Sequence, residues 1–319
     1  MASPDRNGKR RKIIVGVLVI VIGLPVAFIL TAFACFSIMD KTNGTIVSSG
    51  VTRRYLLYVP KTYDRSKATP LVISMHAWGV WPAAQMGISQ WNQVADEHGF
   101  IVVYPAGTNL RGTSGSGPKV WPMGPRSLGR NVRFISDLID KLEAEYNIDP
   151  TRIYADGLSN GGGMAFAVSC RLSHRVAAVG AVAAAQELPW DWCGDSRPVP
   201  MVAFHGTDDR MVPYQGGLSG DPIKPRTFPA VRDWAANWAR RNRCSGDPSD
   251  ARITANVRRL AYTNCAENAD VVLYSVEGGG HTWPGGKPLP EWIVGRTTSD
   301  ISATRVMWEF YAQHRRGSK

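Results

Sequence analysis

The chain has 319 residues, of which 44% are hydrophobic and 20% charged; these ordinary globular values exclude a disordered chain, a collagen-like fibre and a multi-span membrane protein. The net charge is +11, but the basic clusters (Arg240, Arg241 and Arg243; Arg258 and Arg259; Arg315 and Arg316) are short and not interleaved with aromatics. Solvated surface accounts for them, and no nucleic-acid partner is expected.

Lys9, Arg10, Arg11 and Lys12 precede an uncharged run from Ile13 to Met39. That run is long enough to cross a hydrocarbon core, which needs about 20 apolar residues, and the basic cluster should stay on the cytoplasmic side. Residues 1–40 are therefore read as a signal peptide or membrane anchor that exports the rest of the chain, with a membrane contact through residues 13–39. Ala32-Phe33-Ala34 resembles a cleavage site, although the apolar stretch exceeds a usual signal peptide. Cys35 follows that site directly and raises lipid attachment as a further mode of anchoring.

Beyond a short polar stretch, Arg54 to Val59 reads as a strand ended by Pro60. Short β-branched runs follow at Leu71–Met75, Ile101–Tyr104, Ile153–Ala155, Val176–Val182, Met201–Phe204 and Val271–Val276, and they suit strands buried on both faces. Helical spacing of apolar residues marks Asn131–Tyr146, and Pro229–Asn242 and Thr304–His314 also read as helices. Strand–helix alternation predicts an α/β fold with a mostly parallel central sheet and helices on both faces. Residues 41–319 form one domain, since no linker divides them. Two Gly-, Ser- and Pro-rich stretches, 107–126 and 215–226, are expected as loops beside a cleft.

Ligands bind beyond the carboxyl ends of the strands in such a sheet. The strand Leu71–Met75 leads to His76-Ala77-Trp78-Gly79. The strand Ile153–Ala155 leads to Gly157-Leu158-Ser159-Asn160-Gly161, a G-x-S-x-G motif with a strand before it and an apolar helical segment after it. Glycines are expected at the flanks because any larger side chain would collide with the neighbouring strand and helix. The strand Met201–Phe204 leads to His205-Gly206-Thr207-Asp208-Asp209, and Val271–Val276 leads to Gly278-Gly279-Gly280-His281. Serine, acid and histidine thus follow separate strands in the order an α/β-hydrolase requires, with Ser159 as nucleophile. The amides of Asn160 and Trp78 are expected to hold a developing oxyanion. His76 is read as structural, His205 as shaping the acid turn, and His98, His174 and His314 as weaker candidates.

Export would give the cysteines an oxidising compartment. Setting Cys35 aside leaves Cys170, Cys193, Cys244 and Cys265, which permit three pairings. Sequential pairing, Cys170–Cys193 and Cys244–Cys265, is expected over free thiols. Without C-x-x-C or H-E-x-x-H spacing, no metal site is expected.

These pieces together resemble the polyhydroxybutyrate depolymerase-like esterases and their relatives, the feruloyl and acetylxylan esterases of carbohydrate esterase family one. The resemblance rests on the strand Leu71–His76, Tyr146-Asn147-Ile148-Asp149-Pro150, Gly157-Leu158-Ser159-Asn160-Gly161-Gly162, His205-Gly206-Thr207-x-Asp209, Val212-Pro213-Tyr214 and Gly280-His281-x-Trp283-Pro284. It implies an α/β-hydrolase fold and a secreted serine esterase that acts on polyester, polysaccharide-linked or small esters without a cofactor. Ser159 would be nucleophile, His281 general base and acid, and Asp209 the orienting acid, since Asp208 falls at the group's variable position. The resemblance implies the same two disulfides. Ala77 and Trp78 depart from the usual H-G followed by small residues, and Gln186 and Glu187 replace a small apolar turn. Trp121, Trp190 and Trp283 are expected to line the substrate cleft. The rival readings are an inactive, surface-anchored binding protein for polymer or glycan on the same scaffold, and a serine peptidase, for which the chain lacks a selecting cap.

Overall fold

Short runs of valine, isoleucine and leucine become the centre of one sheet. The computed structural model describes residues 40–186, 188–194, 197–220 and 225–317. The run Ile13–Met39, with its Ala32-Phe33-Ala34 site and Cys35, and Glu187 lie outside the described residues. Among the described residues no helix is long and apolar enough to cross a membrane.

The strands in chain order begin with β1 (Gly44–Ser48), β2 (Val51–Tyr58), β3 (Thr69–Met75) and β4 (Ile101–Pro105), followed by a small ribbon of β5 (Thr108–Asn109) and β6 (Lys119–Val120). Next come β7 (Ile148–Leu158), β8 (Ala178–Val182) and β9 (Met201–Gly206), then a second ribbon of β10 (Gly217–Leu218) and β11 (Thr227–Phe228). The last strands are β12 (Ser249–Thr254), β13 (Val257–Tyr262) and β14 (Val271–Val276). The main sheet has ten strands in the order β1-β2-β4-β3-β7-β8-β9-β14-β13-β12. Its centre, from β4 to β14, is parallel throughout, and β1, β2, β12 and β13 add antiparallel edges. The mostly parallel prediction holds, and the edge strands are additions to it.

Seven helices cover the sheet among the described residues: α1 (Pro82–Ser89), α2 (Trp91–His98), α3 (Pro125–Glu145), α4 (Asn160–Arg171), α5 (Val231–Arg241), α6 (Glu291–Val294) and α7 (Ala303–Ala312). Side-chain alternation sorts each strand onto the two faces. Leu71, Ile73 and Met75 pack with α3, α4 and α5 on one side, while Val72 packs with α2 and α7 on the other. Helix α3 starts at Pro125, six residues earlier than its apolar periodicity predicted, because proline suits a first helical position where its missing N–H costs nothing.

Both sequential disulfides are present. Cys170–Cys193 ties the end of α4 to the 3₁₀ turn Trp190–Cys193, and Cys244–Cys265 ties the segment after α5 to the turn before β14. Their sequence separations are 23 and 21 residues, and closing a loop of this size restricts the unfolded chain by roughly 3 kcal/mol. Full reduction is therefore expected to lower the melting temperature by roughly 10–20 °C in calorimetry with and without reductant.

Candidate active site

The first piece is the turn between β7 and α4. Ser159 occupies φ 54° and ψ −118°, a conformation that side-chain-bearing residues rarely adopt. Neighbouring glycines make it attainable. A Cβ on Gly157 would overlap the carbonyl of Gly161, one on Gly161 would overlap the carbonyls of Met75 and His76, and one on Gly162 would lie 2.5 Å from the Ala184 side chain. The Ser159 amide donates to Val182 O at 2.8 Å, and the Ser159 carbonyl accepts from Gly163 N at 3.0 Å to start the helix. This geometry lifts the half-buried Ser159 hydroxyl to the carboxyl end of the sheet.

Two strands along, the β9 turn and the loop after β14 meet through glycines. A Cβ on Gly206 would overlap Gly279 O, and one on Gly280 would overlap Val294 O. The contact brings Asp209 and His281 together across 72 residues: Nδ1–H of His281 donates to Asp209 Oδ2 at 2.8 Å. The other carboxylate oxygen accepts the amides of Met211 and Val212 at 2.8 and 2.9 Å. His205 Nε2 lies 3.3 Å from Asp209 Oδ2 and 2.9 Å from Val212 O, so it braces the acid turn. Burial alone would push the Asp209 carboxyl up, but the facing His281 and the hydrogen bonds from His205 and His281 hold it well below the usual carboxylate range. Asp208, by contrast, is exposed, and among the described residues its carboxylate receives the Thr207 hydroxyl alone, at 3.3 Å. No hydrogen bond joins the Ser159 hydroxyl to His281 among the described residues.

His76 holds the loop that follows β3. Its ring donates from Nδ1 to Ala77 O at 2.8 Å and accepts the Gly107 amide on Nε2 at 3.0 Å, which fixes a neutral tautomer. Burial pulls its pKa down to about 4. The ring stacks on Trp121, whose indole N–H donates to His76 O at 3.1 Å. Asn160 then clamps the backbone of Trp121 from both sides, accepting its amide at 2.8 Å and donating to its carbonyl at 3.0 Å. The loop beyond β3 and the turn beyond β7 are thereby tied into one unit. Among the described residues the backbone amides of Trp78 and Asn160 donate to no acceptor.

The tryptophans expected in the cleft are placed otherwise. Trp121 and Trp283 are each 1% exposed, with their indole N–H groups committed to His76 O and to Thr304 Oγ1. Trp190 packs edge-on against Phe166 and Trp238 at 4.9 and 6.1 Å. Trp121 and Trp283 belong to the interior, where a large apolar ring that finds an internal hydrogen-bond partner gains more than at the surface; Trp190 is half-buried against the core through its ring contacts, its indole N–H without a partner among the described residues. Trp78 is 51% exposed. The aromatic that sequence reasoning missed is Trp292 on α6, 87% exposed. It borders a cleft of about 710 Å³ with Asp208, Arg210, Met211 and Arg296, next to the Val294 carbonyl that receives the His281 amide at 2.6 Å. Its signal is a tryptophan in the short run Glu291–Val294, bounded by Pro290 and Gly295.

Residues 53–186 match the family model described as "Esterase PHB depolymerase". The chain is 32% identical over 243 residues to feruloyl esterase B of Piromyces equi, covering 74% of this chain and 44% of that protein. It therefore spans less than half the length of that relative. A putative esterase of Nocardia uniformis subsp. tsuyamanensis, NocK, is 28% identical over 284 residues, covering 84% of this chain and 82% of that one. Among solved structures, an acetyl xylan esterase from Aspergillus awamori shares the fold, with a TM-score of 0.56, 14% identity, and coverage of 75% of this chain and 93% of that chain.

Proposed function

Residues 53–186 carry an Esterase PHB depolymerase domain with feruloyl esterases among its relatives, and from that premise we propose that the chain is a serine carboxylic-ester hydrolase working through an acyl-enzyme. The observation that carries the reading is the 2.8 Å bond from His281 to a buried Asp209, two strands from a serine held in a strained turn. An aspartate in that position keeps the Nδ1 proton of the histidine in place and leaves Nε2 free as a base.

The reaction follows from these parts. The Ser159 oxygen attacks the ester carbonyl carbon as its proton passes to His281 Nε2. The carbonyl oxygen becomes an oxyanion received by the amides of Asn160 and Trp78. Collapse breaks the bond to the alcohol oxygen, which takes the proton from His281 and leaves. Water then repeats the sequence on the acyl-enzyme, releasing the acid and restoring the serine. Ser159 and His281 close to hydrogen-bonding distance as the ester binds, since catalytic contacts in empty sites are often long.

Because His281 protonates the departing alcohol, the alcohol side of the ester faces the cleft beside Trp292. The indole there suits a ring, aryl or sugar, more than a methyl group. Trp292→Ala is expected to raise KM for a ring-bearing alcohol ester by roughly 3–10-fold, the worth of one aromatic contact, with kcat on an ethyl ester unchanged in steady-state assays. The two disulfides and the basic-then-apolar N-terminal segment support export.

A fluorophosphonate probe tests the reading directly. Purified protein should be labelled covalently, and labelling should vanish in Ser159→Ala. Label that persists in that variant removes Ser159 as the nucleophile, and absent label on the parent chain favours a binding protein on the same scaffold.

A further inference from the structure

Among the described residues Arg53 is a cation with no anion to answer it. It lies on β2 at 4% exposure, its guanidinium 4.1 Å from the Phe134 ring centroid. Its hydrogen bonds reach neutral acceptors only, Asn131 Oδ1 at 3.3 Å and Ala106 O at 3.1 Å, and its Nε is buried with no partner. The charge acting on it is a like one, from Arg130. Burial, aided by Arg130, pulls the Arg53 pKa down to about 10, which still leaves it charged at neutral pH. Its sequence neighbour Arg54 shows the contrast, for Arg54 and the buried Lys119 both pair with Asp40 at 3.3 Å. A buried charge without a partner is costly.

A cavity of about 90 Å³ opens beside Arg53, lined also by Ser48, Thr108, Ser127, Arg130 and Asn131, with no aspartate or glutamate in its wall. Among the described residues the buried hydroxyls of Ser48 and Thr108 have no partner either. Ser127 and Arg130 lie in the opening turns of α3, a 21-residue helix whose amino end favours negative charge. A guanidinium, buried hydroxyls and the opening turns of α3 thus line one small space.

We infer that this cavity binds a small tetrahedral oxyanion, phosphate or sulfate. A planar carboxylate would leave part of this donor set unused, whereas a tetrahedral ion presents oxygens to each side. The site is separate from the serine, although Asn131 also donates to Pro122 O at 3.4 Å, next to the Trp121 that Asn160 clamps.

The test uses the full chain purified in phosphate-free buffer. Sodium phosphate is titrated against it by calorimetry, with chloride adjusted to hold ionic strength constant, and melting temperature is followed in parallel. One saturable site per chain is expected, with a rise in melting temperature that chloride does not give. Arg130→Ala, an exposed position that leaves the fold intact, should weaken phosphate binding at least tenfold, and Arg53→Met should abolish it. Absence of saturable heat, or equal affinity in Arg130→Ala, overturns the site. Acetate binding as tightly as phosphate or sulfate overturns the tetrahedral assignment.

Discussion

Alanine at position 159 is expected to lower kcat on a short acyl ester by about 10⁴-fold or more. The loss is this large because the hydroxyl is the one protein group in the proposed sequence that forms a bond to the acyl carbon. What survives is the pair of free amides and the binding surface, which together still hold a modest advantage over water. KM should change little, since the hydroxyl adds no binding that is specific to the ground state. Stability should also change little, because alanine and serine pay alike for φ 54°. Steady-state kinetics and a melting curve on the same preparation check both halves. A variant within tenfold of the parent kcat would mean that another group does the attacking.

Asp209→Asn should cost about 10⁴-fold in kcat near pH 7, the usual consequence of presenting the histidine with a group that cannot hold the right tautomer. The same substitution has a signature in acid. The native Asp209 carboxyl titrates below its unfolded value of about 3.9, so its ionised form contributes stability above that pH, and the contribution is lost as pH falls through the native value. The gap in unfolding free energy between parent and variant should therefore be widest near neutrality and shrink below about pH 4. Urea melts at pH 7 and pH 3 measure it. A gap that stays constant or widens in acid would show that the carboxylate is not held by the two histidines in solution.

The sequence made the centre of the molecule legible and its edges opaque. Val271–Val276 was read to the residue because an uninterrupted β-branched run buried on both faces fits little else. Strands β12 and β13 escaped because Ser249–Thr254 is almost wholly exposed and Val257–Tyr262 carries two arginines, so neither shows the apolar pattern that strand reading depends on. Helices α1 and α2 are each eight residues long and are broken at Gln90, whose left-handed φ of 57° no local pattern announces. At the site, the order of serine, acid and histidine was visible because each ends a strand that could be read. The tryptophans were misplaced for a different reason. Burial of an aromatic is decided by partners distant in sequence, as Trp283 shows by reaching Thr304 across α7's first turn.

The double hydrogen bond from Asn160 to Trp121 has a bearing on how such sequences are compared. A primary amide of that reach both gives and takes at one peptide plane; a carboxylate lacks the donor, a hydroxyl the span, and a longer amide the fit. Selection for scaffold integrity alone would thus retain asparagine and its adjoining glycines, even in a descendant whose nucleophile had been lost. Shared S-N-G-G lettering is accordingly a record of shared architecture, and only the oxygen preceding it speaks for turnover.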